Sequence, residues 1–173
     1  QCSTFRQTDS MLNFLPEKWK NTLFVRAFGL TKVPMILYCS PSVVELSDRR
    51  SEIIIPLNYR TKNHLNSMYF GTLAVGADLA GGLIAMRQIQ EKGNRVNLVF
   101  QDFQAKFLKR PEGDVHFICE EGAACSALVD KALETGERVS IPVKVVAKVP
   151  SLLGDENVAE FILTLSLKKK REK

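Results

Sequence analysis

The stretch NHLNSMYFGTLAVGADLAGGLIAM, residues Asn63 to Met86, decides how the rest of the chain is read. From Leu65 through Met86 it holds one charge, Asp78. Small or aliphatic residues surround that charge on every side, among them Leu73, Val75, Ala77, Leu79, Ala80, Leu83 and Ile84. A helix that is apolar all round either spans a membrane or is wrapped by protein. A span needs about 20 predominantly apolar residues, and this run is broken by Gly71, Gly76, Gly81, Gly82 and Asp78. Its glycines and alanines instead let a sheet approach the helix backbone closely. The expectation is a central helix clasped by a curved sheet, with no stable membrane insertion. Asp78 then stands out, because an isolated carboxylate in such surroundings loses hydration and its pKa rises unless donors compensate. Three readings stay open: the helix end is less enclosed than it reads, Asp78 caps a neighbouring backbone, or it is a functional carboxylate.

Working outward, residues 1–32 read as a helical extension. Pro16 suits a first helical turn, and Trp19, Leu23 and Ala27 recur at helical spacing. Aromatic and basic residues mix here (Trp19, Phe24 and Phe28 with Lys18, Lys20 and Arg26), which suits a helix packed across the domain or one lying on a membrane surface. From Val33 to Leu57 the pattern turns to strands, with a polar turn at Ser47–Arg50 between two runs that make a hairpin. Arg95 to Lys109 reads as one long strand whose alternation slips once: Val96, Leu98 and Phe100 share one parity, Phe103, Ala105 and Phe107 the other. A bulge near Gln101 and Asp102 returns both sets to one side. A turn at Pro111–Asp114 leads into Val115–Glu120. A short amphipathic helix then runs from Gly122 to Gly136, on Cys125, Leu128, Val129, Ala132 and Leu133. Two alternating strands close the domain, Val139–Val149 and Phe161–Leu167. Strands joined by short turns pair antiparallel, so the class is α+β.

The 173 residues, 45% hydrophobic and 25% charged, suit one globular domain and exclude disorder, collagen and coiled coil as whole-chain descriptions. The net charge of +5 is localised: residues 168–173 form a basic tail carrying +4, which leaves the body, with its main domain at 33–167, near +1. No nucleic-acid partner is expected on that charge. Four cysteines (Cys2, Cys39, Cys119, Cys125) are too sparse for a disulfide scaffold. With no charged n-region and apolar h-region opening the chain, a reduced, cytoplasmic protein is expected. No Gly-x-Ser-x-Gly, P-loop or Gly-x-Gly-x-x-Gly occurs. No metal site is expected, since His116 and Cys119 have opposite parity on a strand, and Cys119 and Cys125 read as core thiols.

Asn63-His64, Tyr69-Phe70-Gly71 and Ala77-Asp78-Leu79-Ala80 together resemble the motif of hotdog-fold acyl-CoA thioesterases. The likeness is to the phenylacetyl-CoA-thioesterase-like group, and above all to a bacterial branch labelled as a domain of unknown function. It implies a hotdog fold, a curved, mainly antiparallel sheet wrapped around a central helix, over roughly Val33 to Leu167. In that family an Asn precedes His-Gly-Gly at the start of the central helix, and an Ala-Asp pair follows two turns on. Carried over, the catalytic carboxylate falls on Asp78, the activating amide on Asn63 and the glycine pair on Phe70 and Gly71. His64, Asn66 and Tyr69 are the candidate substrate contacts, His64 lying beside Asn63 in a loop where the alternative is a merely exposed histidine. Tyr69 replaces the family His and Phe70 the first Gly; a backbone N–H survives both changes, while Phe70 adds bulk where a carbonyl approaches.

The resemblance implies hydrolysis of an acyl-CoA or acyl-carrier thioester without a cofactor. Asp78 acts as general base, and the Phe70 and Gly71 N–H groups at the helix N-terminus hold the oxyanion. Gly71 and Asp78 are seven positions apart, about 10 Å along one helix at 1.5 Å per residue, too far to act on the same carbonyl. Two antiparallel central helices across a two-fold axis remove the difficulty, so a homodimer or a dimer of dimers is expected. The alternative is a non-catalytic hotdog protein that binds an acyl chain or lipid-like ligand. A dehydratase on this fold is a third reading, for which His64 is a poor positional match.

Overall fold

The computed structural model describes residues 16–170. Cys2, the first half of the helical extension (1–15) and the tail's end (171–173) lie outside the described residues. The elements run α1 (Glu17–Thr31), α2 (Pro34–Cys39), β1 (Ser42–Leu46), β2 (Ser51–Ile55), α3 (Phe70–Glu91), β3 (Val96–Phe107), β4 (Val115–Cys119), α4 (Gly122–Thr135), β5 (Val139–Lys148), α5 (Pro150–Leu153) and β6 (Asn157–Lys169). One six-stranded sheet has the order β1-β2-β4-β5-β6-β3, and every pairing is antiparallel. α3 packs against β2, β3, β4, β5 and β6. This is the α+β hotdog arrangement, with one long helix held by the sheet.

The helix–sheet contact is close where side chains are smallest. A Cβ on Gly76 would lie 2.3 Å from the ring of Phe117, a fully buried residue of β4, so glycine there lets the sheet approach the helix backbone. Beside it, the buried Ser51 hydroxyl donates to the Ala80 carbonyl at 2.6 Å, which ties β2 to α3. α3, with 22 residues, is long and apolar enough to cross a bilayer by length and composition. It is instead the core helix, with Ala77, Leu79, Ala80, Leu83, Ile84 and Ala85 buried. It starts at Phe70, so residues 65–69 belong to the preceding loop.

β3 carries the bulge at the position where its alternation slips. Phe100 pairs with Leu165 and Asp102 with Thr164, which leaves Gln101 as the extra residue. Phe103 and Ala105 thereby return to the face of Phe161 and Leu163. α4 ends as its sequence indicates, with Gly136 left-handed at φ 70°.

Three expectations need correction. The segment after Val33 begins as a short helix, not a strand: Pro34 sits in its first turn and Ser40 closes it at φ 53°. A second short helix, α5, again begins at a proline and separates β5 from β6. α1 is helical, but the Trp19, Leu23 and Ala27 stripe faces outward, while Val25 and Gly29 are buried. A Cβ on Gly29 would meet the Leu37 backbone nitrogen at 2.7 Å, so α1 and α2 touch backbone to backbone there. At the other end, β6 continues through Lys168 and Lys169, paired with Asn97 and Val96, so the basic run begins inside the sheet.

Candidate active site

Two groups of residues, at two places along α3, form the site. The first is the loop that delivers the chain into the helix. Asn63 organises it: its side-chain oxygen accepts from the Leu65 N–H at 2.8 Å and the Ser67 N–H at 3.3 Å, and its amide donates to the Ser67 hydroxyl at 3.1 Å. An Asn that bonds its own backbone two residues on is a turn former, and the chain here closes further through Asn63 N–H to Ser67 carbonyl, 2.8 Å. Asn66 takes the left-handed conformation at φ 58° and accepts from Lys62 Nζ at 2.8 Å. His64 is exposed at the loop's tip. The loop is pinned at its base, where the Met68 N–H reaches the Pro111 carbonyl and the Tyr69 N–H the Thr61 carbonyl, both at 2.8 Å.

Tyr69 is the N-cap of α3 and supplies no side-chain cap. Phe70 and Gly71 are therefore the first two helical residues. Among the described residues their N–H groups meet no acceptor, as expected for the first turn of a helix. These donors, at the positive end of the helix dipole, suit a developing oxyanion. The Phe70 ring is 60% exposed and lies 4.7 Å, centroid to centroid, from the Tyr69 ring. Tyr69 folds over Gly71, where a Cβ would come within 2.5 Å of its Cε1.

The second group surrounds Asp78. Its side chain lines a cavity of about 250 Å³ between α1, α2, α3 and β3. The other lining residues include Phe24, Phe28, Val33, Ile36, Leu79, Gly82, Leu83, Met86, Leu98 and Phe100. None of them is ionisable, and no hydrogen bond or ion pair among the described residues reaches the carboxylate. Burial therefore pushes the Asp78 carboxyl above the usual carboxylate range, for want of a donor to compensate. A carboxylate held in this way is a stronger base than one in water, and base strength suited to neutral pH is what a general base requires.

The structure thus gathers Asn63, His64, Asn66, Tyr69, Phe70 and Gly71 at one end of α3, and sets Asp78 two turns away in the cavity. Within one protomer the two groups do not converge. Residue order alone did not reveal that α1 supplies a wall of the cavity; Phe24 and Phe28, at i and i+4 opposite the outward stripe, were the available signal. Elsewhere, His116 bonds Glu52 at 2.7 Å through Nδ1, on the sheet face away from α3. Burial raises the Cys119 and Cys125 thiols to about 11 and about 12. Among the described residues no cluster of three His, Cys, Asp or Glu side chains is arranged to hold a metal ion.

A family model described as "Domain of unknown function (DUF4442)" matches residues 20–152. No curated protein matches the chain. Among solved structures, a protein of unknown function from Pseudomonas aeruginosa, described as a probable thioesterase, superposes with a TM-score of 0.72 at 20% identity, over 90% of this chain and 97% of its own. A protein of unknown function from Chlorobaculum tepidum gives 0.76 at 14% identity, over 88% and 97%. A thioesterase from Haemophilus influenzae gives 0.60 at 13% identity, over 84% and 90%. At such identities the likeness is one of fold, the hotdog fold of thioesterase-like structures.

Proposed function

The chain belongs to the DUF4442 family of domains of unknown function, and we propose that it hydrolyses an acyl thioester, of coenzyme A or of an acyl carrier, at a site shared by two copies. The observation that carries this reading is Asp78, a carboxylate without a partner among the described residues on the wall of an apolar cavity. Asp78 takes a proton from water as the water oxygen attacks the thioester carbonyl. The resulting oxyanion is held by the Phe70 and Gly71 N–H groups of the other copy. Collapse of the intermediate breaks the carbon–sulfur bond, and the departing thiolate receives the proton, leaving a free acid and a thiol. Asn63 is a positioning residue that fixes the loop before Phe70, and His64, Asn66 and Tyr69 flank the approach of the carrier. The mechanism needs no cofactor.

The second copy is supported by β3. It is an edge strand of 12 residues with nothing paired on its outer side among the described residues, and a long unpaired edge is normally covered. Phe103 and Phe107 lie on the inner face beside Phe161, yet they are 41% and 53% exposed. Pairing β3 with β3 across a two-fold axis covers them and sets the two α3 helices antiparallel, so that each Asp78 faces the other Gly71.

Hydrolysis of an acyl-CoA panel by the wild type and Asp78→Asn tests the reading. Loss of a general base lowers kcat by about 10²- to 10⁴-fold. Equal turnover by both proteins removes Asp78 from the chemistry. A wild type inert on every thioester favours the second reading, a non-catalytic acyl-binding protein, for which the bulk of Phe70 at the oxyanion position speaks.

A further inference from the structure

We propose that the cavity between α1 and α3 is a pocket for an unbranched acyl group, and that Gly82, Phe28 and Met86 set the length it accepts. The pocket rests on the thioesterase reading for its acyl substrate, but its shape is argued independently. Asp78, Gly82 and Met86 recur at every fourth residue of α3, so they lie along one face of the helix, spanning roughly 12 Å of its length. The carboxylate is at one end, the thioether at the other, and the glycine between them. Phe28 and Ile36 close the cavity from α1 and α2, and Phe100 from β3. A cavity of about 250 Å³ has room for several methylenes beside the carboxylate. An apolar cavity with one carboxylate on its wall suits a linear chain whose reactive carbonyl stays at Asp78.

Gly82 carries the inference. Glycine inside a helix is destabilising relative to alanine, so each one calls for a local cause. Gly76 has one, since a Cβ there would press on the Phe117 ring at 2.3 Å. Gly82 has none: its φ is not positive, and a Cβ would find only Phe100 atoms, at 3.6 and 3.9 Å, in ordinary contact. What the missing methyl group leaves is cavity. Gly81, as free of a local cause as Gly82, is the control, because its Cβ would point at Val145 and Leu163 of the sheet, at 3.6 Å and beyond, away from the cavity; Gly82 therefore counts for its place on the cavity wall.

Calorimetric titration of the full chain with linear 1-alkanols of four to fourteen carbons reads the pocket without turnover or carrier. Affinity is expected to rise about fourfold for each added methylene, which corresponds to about 0.8 kcal/mol, and to stop rising within the series, at the length that fills the cavity. Gly82→Ala moves that break to a shorter alcohol, whereas Gly81→Ala leaves it in place. Phe28→Ala moves it to a longer one; if that variant does not fold, Met86→Ala makes the same test. Affinity that ignores chain length overturns the proposal, as does a break that Gly82→Ala and Gly81→Ala leave at the same carbon. Length-dependent binding by a protein inert on all thioesters upholds the pocket and sinks the hydrolase. Turnover with flat alkanol binding does the reverse.

Discussion

Replacing the glycines of α3 by alanine, one at a time, produces stability changes of opposite sign on a single helix. The helix-propensity gain is common to interior positions, about 1 kcal/mol for each Gly→Ala. What differs is the atom that a new Cβ meets. At Gly81 and Gly82 it lies 3.6 Å from its nearest neighbour, an ordinary contact, so most of the gain survives. For a chain of this size it raises Tm by about 2–4 °C. At Gly76 the Cβ would sit 2.3 Å from Cε2 and Cζ of Phe117. That ring is fully buried and cannot swing aside. Overpacking of this kind costs about 1–3 kcal/mol, so Gly76→Ala breaks even at best and loses about 2 kcal/mol at worst. At Gly71 the obstacle is the Tyr69 ring at 2.5 Å, the far end of an exposed side chain that can turn outward. Moving it gives up part of the Tyr69–Phe70 ring contact, which is worth about 0.5–1.5 kcal/mol, and the balance stays near zero. Urea unfolding of the four variants gives the order directly, provided that their m-values agree. If Gly76→Ala proves as stable as Gly82→Ala, α3 does not lie against Phe117 as described, and the packing account of its glycines fails.

Asp78→Asn separates function from stability. The native Asp78 carboxyl sits above its ordinary value through burial, so the unfolded chain binds fewer protons, and stability falls as pH rises from the ordinary carboxylate range through the native pKa. The variant is therefore the more stable protein at pH 7, and its advantage disappears in urea titrations below the unfolded carboxylate pKa. Phe70→Pro deletes one oxyanion donor at a position where a helix accepts proline. The fold persists by circular dichroism, and kcat falls about 10²- to 10³-fold. Mixing the Phe70→Pro and Asp78→Asn chains restores part of the activity only if the site draws on both copies. Phe103→Glu and Phe107→Glu place charge on the inner face of the β3 edge, and sedimentation should show monomers with lowered turnover. Cys119 and Cys125, raised to about 11 and about 12, should resist alkylation at pH 8 until the protein is unfolded, as mass spectrometry of the labelled chain would show.

The central helix was legible because a charge-free run of small residues leaves few alternatives, and the bulge at Gln101 because a slipped alternation has one economical explanation. The two short helices were not. Met35–Tyr38 and Leu152–Leu153 are brief apolar runs that suit a strand as well as a helix, and only the prolines before them, at 34 and 150, mark a helical first turn. The orientation of α1 was open for a different reason: Trp19 and Leu23 on one side rival Phe24, Val25 and Phe28 on the other, so helical spacing cannot say which side is buried. In the site, Asp78 was visible as a charge out of place. The occupation of the Asn63 side chain within its own loop was visible only to a reader who weighed Ser67 four residues on. That the wall opposite Asp78 comes from α1, some fifty residues earlier, is a property of tertiary packing which no local pattern carries.

Asp78, Gly82 and the β3 edge each make this chain less stable than an obvious replacement would. A carboxylate without a partner in an apolar cavity opposes folding at neutral pH. A helix-interior glycine that neither φ nor packing requires gives up about 1 kcal/mol. A long unpaired edge invites association. Gly81 is as little required as Gly82 and faces the sheet, so the glycine counts here for its place and not for its cost. These three fall on one side of α3: Asp78 and Gly82 line the same cavity, and the β3 residues Leu98, Val99 and Phe100 form part of its wall. Proteins depart from local consistency chiefly where function requires it. A binder needs the room that Gly82 leaves and gains nothing from an unpaired carboxylate, whereas a hydrolase needs both, together with the second copy that the edge attracts. The coincidence of all three therefore weighs toward catalysis, and a wild type inert on every thioester, with Asp78→Asn merely the more stable protein, would reverse that weight.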